Sequence, residues 1–470
     1  MREEFFENDK PHDECGVFGV YSTTSRDLAG TLYYGLYALQ HRGQEAAGMA
    51  ITTGNRIKYY KNIGLVSEVF ASKLDQMPEG DIGLGHVLYD SRVKKGDNSV
   101  VNTQPIVCKG KMGFFSLAMN GKITNCEDLR SELIEEGCVF QTRLDIEVIS
   151  ALVNKYYDKT DVIGGIKNAM DKLEGSFAIV LITTNELFAI RDKYGMRPLC
   201  YGKFFDDYYV SSESCAIDAS EAKFVRDIEA GEILQIDASG EKSVFLDGVS
   251  KHPCIFEFVY TARADSVIDG TSVYEARFNC GRMLAKTFKE EVDIVAGVPD
   301  SALVAARGFA FESGIPYVDV LEKNRYVGRT FIQPSQNQRE NSVRIKLNGH
   351  RANIQGKRIA LVDDSLVRGT TSRKIVEMLK KLGAKEVHLI LASPKVLHPC
   401  YTGIDIESYD QLLAANYSTQ EMKKILGCDS LHFMKIEDLV KCCKSNNNKC
   451  FCSACFDKKY YGLTEKGDKQ

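Results

Sequence analysis

The stretch RIALVDDSLVRGTTSRKIVEML, residues 358–379, places two adjacent acids between an apolar run and a helical pattern. Residues 359–362 are apolar, flanked by charge and half β-branched, which is typical of a buried parallel strand. Beyond the loop, apolar side chains recur at three- and four-residue spacing, which predicts a helix. The segment therefore predicts a strand, a loop and a helix, in the order that builds helix-covered parallel sheets.

The loop of this unit suits a ligand that carries both a phosphate and neighbouring hydroxyl groups. Four small or hydroxyl residues stand at the predicted helix N-terminus: Gly369, Thr370, Thr371 and Ser372. Unpaired backbone N–H groups and the helix dipole favour an anion there. Asp363 and Asp364 can accept hydrogen bonds from a sugar diol or contribute to a Mg²⁺ site. A Walker A loop is excluded because no Gly-Lys-Thr or Gly-Lys-Ser closes the turn, whereas a phosphoacceptor or plain Mg²⁺ site stays an alternative.

Short apolar runs alternate with helical patterns through the second half, which predicts a parallel sheet with ligands at its carboxyl edge. The segment AGVPDSA, residues 296–302, ends another such run, so Ser301 is expected near the metal. The segment EKNRYVGRTFIQPSQ, residues 322–336, carries three basic side chains: Lys323, Arg325 and Arg329. It is expected to close over the substrate and supply cations to a polyanionic leaving group. An exposed charged loop is the alternative.

The first half has a different pattern, with more strand. Runs such as CGVFGVY and FAIVLITTNELFAIRD are interrupted by helical stretches such as LDIEVISALVNKYY, which predicts an α+β or layered α/β domain. The polar segment at residues 237–251 lies near the boundary between the halves. With 470 residues and 44% hydrophobic content, the chain can bury the cores of two or three domains.

Charge and hydropathy exclude several classes of protein. The formal net charge is −4, so no global basic field points to nucleic acid. The longest apolar runs are too short to span a bilayer, and MREEFFENDKPHDE has no apolar h-region of a secretory signal. We therefore expect a cytoplasmic protein with no nucleic-acid or membrane partner. Fifteen cysteines in a reducing compartment favour metal binding or catalysis over a disulfide framework.

The loop VDDSLVRGTTS resembles the phosphoribosylpyrophosphate (PRPP) binding loop of type I phosphoribosyltransferases. Further motifs follow the order found in glutamine PRPP amidotransferases: ECGVFGVY, YYGLYALQHRGQEAAGM, FQTRLDIEV, GMRPL, GVPDS, KNRYVGRTFIQPSQ and SPKVLHPCYTGID. The resemblance implies a propeptide at residues 1–14 and an αββα glutaminase domain of the N-terminal-nucleophile class at 15–246. It also implies a type I phosphoribosyltransferase domain with a parallel sheet at 247–470, which ends in a cysteine cluster.

The activity implied by the resemblance joins two reactions. A cysteine exposed by propeptide removal attacks the amide of glutamine, and the ammonia displaces pyrophosphate from PRPP to give 5-phosphoribosylamine, the first committed purine intermediate. The matching nucleophile is Cys15, with its new α-amine as base. Asn120 and Gly121 match the oxyanion hole, which needs donors aimed at the developing negative charge. The remaining matches are substrate-binding positions: Arg42, Gly43 and Asp145 for glutamine; Lys323, Arg325, Arg329, Asp363, Asp364, Arg368 and the 369–372 turn for PRPP.

Three departures from the family pattern lie in the glutaminase half, and one of them is the segment TRLD that ends at Asp145, where the family has small hydroxyl residues before the acid. Leu88 stands where an arginine normally grips the α-carboxylate of glutamine, and Met119 replaces a histidine next to Asn120. The departures predict poor use of glutamine, or compensation by Arg92 or Arg143. An ammonia-dependent paralogue and a non-catalytic PRPP- or nucleotide-binding regulatory protein are the alternatives.

The resemblance also implies cofactors and partners. Cys254, Cys400, Cys452 and Cys455 match the ligands of a four-iron, four-sulfur cluster, for which zinc is the alternative. Mg²⁺ is expected with PRPP, through Asp363, Asp364 and Ser301. The family further suggests purine nucleotides as inhibitors and a homotetramer.

Overall fold

The structure is a computed structural model that describes residues 15–24, 27–89, 98–324, 347–406, 408–446 and 448–463. Its first half contains strands β1 (Gly16–Tyr21), β2 (Ala46–Thr53), β3 (Arg56–Ile63), β4 (Ile82–Leu88), β5 (Ile106–Gly110), β6 (Gly113–Ile123), β7 (Gly175–Thr183), β8 (Leu187–Arg191), β9 (Cys200–Phe204), β10 (Asp207–Ser211), β11 (Lys223–Asp227), β12 (Glu232–Asp237) and β13 (Gly240–Phe245). Its helices are α1 (Leu28–Ala38), α2 (Val66–Phe70), α3 (Cys126–Glu135), α4 (Asp145–Tyr156), α5 (Val162–Met170) and α6 (Ser214–Ala219).

These elements form two antiparallel sheets that pack face to face. The seven-stranded sheet has the order β11-β9-β10-β1-β4-β2-β3, and the six-stranded sheet has the order β13-β12-β8-β7-β6-β5. Strand β7 is buried throughout. Its Phe177 and Ile179 pack towards α3–α5, whereas Ala178 and Val180 pack between the sheets. Helices α1, α2 and α6 cover the other sheet, which confirms the predicted αββα layering.

The second half contains β14 (Val267–Ile268), β15 (Thr271–Ser272), β16 (Ile294–Gly297), β17 (Leu321–Lys323), β18 (Leu347–Gly349), β19 (Arg358–Asp363), β20 (Glu386–Leu391) and β21 (Ser430–Phe433). Its helices are α7 (Val273–Thr287), α8 (Leu303–Ser313), α9 (Arg351–Ile354), α10 (Thr370–Lys381), α11 (Leu413–Asn416), α12 (Thr419–Leu426), α13 (Ile436–Cys443) and α14 (Ala454–Asp457). A π-helix at Glu257–Thr261 precedes β14.

A parallel four-stranded sheet, in the order β16-β19-β20-β21, forms the centre of this half. Helices α7, α8 and α13 pack on one face, and α10 and α12 on the other. The predicted parallel sheet is therefore confirmed. The run IPYVD at residues 315–319 is short and apolar like the runs that predict strands, but among the described residues it pairs through a single bridge, from Tyr317 to Val295. Pro316 lacks the N–H group that a longer ladder requires.

Helix length and hydropathy give one further result. No helix in the described ranges is long and apolar enough to cross a lipid bilayer.

Candidate active sites

Cys15 lies immediately before β1, the central strand of the seven-stranded sheet. Its side chain is buried with Ala46 and Leu88 in a small apolar cluster. Its backbone φ is +93°, a value that non-glycine residues adopt only at a cost of about 1–3 kcal/mol. Cys15 is therefore a buried residue that is held in a strained backbone conformation.

Asn120 lies on β6 of the facing sheet. It lies on the same face of the strand as Ala118, which packs between the two sheets. The amide of Asn120 therefore points towards the seven-stranded sheet, in which β1 follows Cys15. Both amide atoms are buried, and neither has a hydrogen-bond partner in the part of the chain that the structure describes. Such a group has donor capacity available for a ligand. At Gly121, a Cβ atom would lie 2.2 Å from the Ser176 carbonyl oxygen, so only glycine fits.

Met119 does not face this site. Its side chain is buried in the core on the helix side of β6, opposite Asn120. Its backbone N–H donates to Gln104 Oε1 over 2.7 Å, and its carbonyl accepts from His86 Nε2 over 3.1 Å. Burial lowers the pKa of His86 to about 3, so the ring is neutral and its Nε2 carries the proton. The Met119 side chain therefore lies on the face of β6 opposite Asn120, and its effect on the use of glutamine stays a prediction.

Asp145 is the first residue of α4 and lies beside the end of β6. Its Oδ2 accepts a hydrogen bond from the Ile123 backbone over 3.0 Å. The thiol of Cys126 adjoins it, and burial together with the Asp145 charge raises the pKa of that thiol. Gly43 is required on steric grounds, because a Cβ atom there would lie 2.6 Å from the backbone of Leu88. The structure thus brings Asp145 next to the strand of Asn120, and Gly43 next to Leu88.

Arg42 is fully buried, and its guanidinium contacts protein groups on several sides. Nε donates to the Cys15 carbonyl oxygen over 3.1 Å, and Nη1 donates to Glu213 over 2.6 Å. Nη1 and Nη2 also donate to Glu257 over 3.1 and 3.0 Å. These contacts hold Arg42 against Cys15 and two carboxylates. Sequence reasoning placed Arg42 at the glutamine site but missed Glu213 and Glu257.

The acid pair lies at the carboxyl edge of the parallel sheet, as expected. Asp363 ends β19, and both Asp363 and Asp364 are buried. Asp364 accepts a hydrogen bond from Ser301, so the two predicted segments meet here. Ser372, from the first turn of α10, donates to Asp363 over 3.4 Å. Carboxylate and hydroxyl oxygens are the donors that Mg²⁺ prefers, so these residues fit the expected cation.

Gly369 caps α10 with a φ of +81°, which suits glycine. Thr370 and Thr371 follow it as the first residues of the helix, where N–H groups lack helical partners. Arg368 donates to the Gln411 side chain over 2.7 Å.

The predicted lid is described only in part. Lys323 forms an ion pair with Asp300, next to Ser301. Arg325 and Arg329 lie outside the described residues, as does Arg92. Arg143 is exposed on the segment before α4.

The four predicted cluster ligands converge from three distant segments. Cys254 forms a β-bridge with Cys452, and the Cys455 carbonyl accepts from the backbone of Leu397 over 2.9 Å. Burial raises the pKa of Cys455 well above its usual value, and the charges of the other three thiols raise it further. Within the described ranges, no group of three or more candidate side chains is spaced to hold a metal ion.

Comparisons with known proteins agree with this architecture. The glutamine amidotransferase domain model matches residues 90–219, and the phosphoribosyl transferase domain model matches residues 271–397. The amidophosphoribosyltransferase of Methanocaldococcus jannaschii is 46% identical over 463 residues, covering 95% of this chain and 97% of that protein. The Bacillus subtilis amidophosphoribosyltransferase is 42% identical and covers 96% of this chain and 94% of its own length.

Solved structures give the same result. A B. subtilis glutamine PRPP amidotransferase in complex with ADP and GMP superposes with a TM-score of 0.87 at 42% identity, covering 95% of this chain and 97% of that one. A structure described as the allosteric regulatory enzyme of purine biosynthesis reaches 0.89 at 41% identity, with 96% and 97% covered. Fold and sites define a glutamine amidotransferase domain joined to a phosphoribosyltransferase domain. The chain belongs to the amidophosphoribosyltransferase family.

Proposed function

We propose that the protein makes 5-phosphoribosylamine from PRPP, with nitrogen released from glutamine, in the first committed step of purine biosynthesis. The observation that carries the proposal is the contact of Asp364 with Ser301 next to the N-terminus of α10. This arrangement offers oxygen donors and an anion-binding helix end to one sugar phosphate. Pyrophosphate release from PRPP, compared with glutamine, with ammonium and without a nitrogen donor, tests it. Binding of PRPP without release in any arm would favour the regulatory alternative.

In the glutaminase step, the Cys15 sulfur attacks the amide carbon and forms a thioester, and ammonia leaves. Water then hydrolyses the thioester and gives glutamate. The amide of Asn120 and the N–H of Gly121 would donate to the oxygen that becomes negative. Asp145 would accept from the α-amine of glutamine, and the backbone at Gly43 would allow the substrate's close approach. The amide of Asn120, which has no hydrogen-bond partner among the described residues, supports this assignment.

In the second step, the nitrogen of ammonia bonds to C1 of PRPP as the bond from C1 to the pyrophosphate oxygen breaks. The turn formed by Arg368 and residues 369–372 would bind the 5-phosphate, and Asp363 and Asp364 would accept from the ribose hydroxyls. Mg²⁺, held by Asp363, Asp364 and Ser301, would neutralise charge on the pyrophosphate. Three basic side chains of the lid would contact the leaving group: Lys323, Arg325 and Arg329.

We assign residues 15–246 to the glutaminase domain and 247–470 to the phosphoribosyltransferase domain. The end of β13 at Phe245 supports this boundary. Residues 1–14 are proposed to be a propeptide. The positive φ of Cys15 supports cleavage, since an N-terminal residue has no φ constraint and the strain would be relieved.

We further propose purine nucleotides as inhibitors and a homotetramer as the working form. The ADP and GMP in the B. subtilis structure support nucleotide binding. The homotetramer rests on the resemblance of the sequence to the family. A cytoplasmic location stays a prediction from the sequence.

We predict that protein purified without air is brown and contains iron and sulfide bound through Cys254, Cys400, Cys452 and Cys455. The four cysteines come from three distant segments, which the Cys254–Cys452 bridge and the Leu397–Cys455 hydrogen bond bring together, and four cysteine thiolates are the ligand set of such a cluster. Because the ligands join distant segments, Cys452→Ser should bleach the protein and lower its melting temperature. Iron and sulfide analysis with thermal unfolding measures both effects.

The matched control for this prediction is Cys450→Ser. Cys450 is exposed and lies two residues from Cys452, so its loss should leave colour and melting temperature unchanged. A colourless wild-type protein with stoichiometric zinc would contradict the iron–sulfur assignment.

A further inference from the structure

Four charged side chains are buried together where the two halves of the chain meet: Arg42, Arg197, Glu213 and Glu257. Glu257 belongs to the π-helix of the second half, and the other members belong to the first. Arg42 bonds both carboxylates, and Arg197 lies 3.6 Å from Glu257. Burial alone would raise the pKa of Glu257, but Arg42 lowers it, so the carboxylate is charged. The group is thus a buried network of two arginines and two carboxylates that spans the junction, and His41 adjoins it through Glu213 over 2.7 Å.

Arg42 also holds the backbone of the nucleophile. Its Nε donates to the Cys15 carbonyl oxygen over 3.1 Å, and its own carbonyl accepts from the Cys15 N–H over 3.4 Å. This N–H belongs to the nitrogen that becomes the α-amine after cleavage. Arg42 therefore contacts Cys15 on both backbone groups, while its guanidinium is oriented by Glu213 and Glu257.

We propose that Glu257 is a positioning residue for the Cys15 nucleophile, which it holds across the domain junction through Arg42. This inference rests on the proposed glutaminase activity. A planar guanidinium bound on two edges has one orientation, so a carboxylate of the second half fixes where the Cys15 backbone lies. The glutaminase site is then incomplete without the phosphoribosyltransferase domain.

The π-helix that carries Glu257 also contacts the PRPP side of the molecule. The buried Arg277 donates to the Phe258 carbonyl over 2.8 Å and to the Ala262 carbonyl over 2.7 Å. Burial lowers the pKa of Arg277, and the charge of Asp364 is the largest influence that opposes the shift. The backbone around Glu257 is thus bound by a cation whose charge interacts with that of Asp364 in the predicted PRPP site. Wide helical turns of this kind occur frequently at functional sites.

A second buried ion pair in the same junction provides a control for a purely structural role of Glu257. Arg191 of the first half bonds Asp269 of the second through two hydrogen bonds of 3.0 and 2.9 Å, and both side chains are buried. This pair crosses the same junction, and Arg191 otherwise donates to the carbonyl oxygens of Gly195, Arg197 and Ile228 rather than to Cys15. Replacing Asp269 weakens the junction and keeps the side chains of Arg42, Glu213 and Glu257 intact. Asp269→Asn therefore separates loosening of the domains from misplacement of the nucleophile.

The test uses full-length, processed protein and measures alkylation of Cys15 by iodoacetamide over a series of pH values. Mass spectrometry identifies the labelled residue among fifteen cysteines. We expect Glu257→Gln to slow Cys15 alkylation about tenfold and to shift its pH midpoint, as for residues coupled in one network. Asp269→Asn should leave rate and midpoint unchanged. If Glu257→Gln does not fold, Glu257→Asp, which keeps the charge on a shorter side chain, is measured in the same way.

Equal alkylation profiles for wild type and a folded Glu257 variant would overturn the inference. It would also be overturned if Asp269→Asn changed the profile as much as Glu257→Gln does. Ammonia-dependent pyrophosphate release is followed in parallel, and Glu257→Gln should retain it because Cys15 takes no part in that reaction. Absence of this release in the wild type would refute the proposed function, while the alkylation profiles would still report on Glu257. The two failures are therefore distinguishable.

Discussion

Replacing Asp364 with Asn should reduce ammonia-dependent pyrophosphate release from PRPP by roughly tens- to thousands-fold. The Asp364 carboxylate is buried and accepts from Ser301 and, over 2.8 Å, from Ser365. Asparagine keeps the volume but removes the negative charge and one acceptor oxygen from the Mg²⁺ and ribose end of the site. Losing one partner of a buried charged contact costs about 2–5 kcal/mol. Release measured with ammonium as nitrogen donor isolates this effect from the glutaminase domain.

Asp293→Asn is the matched control for this substitution. Asp293 precedes β16 at the opposite edge of the same sheet, where it pairs with Arg358 over 3.0 Å. A partly exposed ion pair contributes about 0–1 kcal/mol, so the control should retain nearly full activity. If Asp364→Asn retained full ammonia-dependent activity, the assignment of the acid pair to PRPP would be wrong.

The unit at residues 358–381 could be predicted from sequence because its information is local. The apolar run, the acid pair and the helical spacing are contiguous, and the structure has β19 and α10 where the pattern predicts them. The sequence also predicted the layered first half, since strands buried on both faces read as continuous apolar runs.

The orientation of Met119 could not be predicted in the same way. In β6, apolar side chains point both to the helix layer and to the space between the sheets. The sequence therefore lacks the alternation of polar and apolar residues that would show which side chains point to which layer. The structure turns the Met119 side chain away from Asn120 and into the core on the helix side of β6.

The buried charges of the junction depend on contacts between residues far apart in the sequence. Arg42 and Glu257 are separated by 215 positions, and their pairing has no local signature. The available signal was a single charge within an otherwise apolar run, as in CIFEFVY around Glu257 and LFAIR at Arg191. Because buried charges are paired, each such residue predicts a partner but does not identify it.

Leu88 remains the departure that bears on the use of glutamine. It ends β4, and its side chain packs directly with Cys15 and Ala46. An aliphatic side chain cannot bind the α-carboxylate of glutamine, and a bidentate arginine contact is a strong, charge-assisted interaction. Removing one partner of such a contact costs about 2–5 kcal/mol, or tens- to thousands-fold in affinity. We therefore expect weak binding of glutamine, unless Arg92 or Arg143 supplies the missing cation.

Leu88→Arg should raise glutamine-dependent kcat/KM by tens- to thousands-fold, which corresponds to the same contact energy of about 2–5 kcal/mol. Ammonia-dependent activity should stay unchanged. Leu88→Met, which changes shape but adds no charge, is the matched control and should leave both activities near wild type. Arg92→Ala and Arg143→Ala test compensation, because the residue that binds the carboxylate will raise KM for glutamine when it is truncated. A wild type with an ordinary KM for glutamine that neither truncation alters would show that recognition of the α-carboxylate at this site does not depend on an arginine at position 88 or on either substitute.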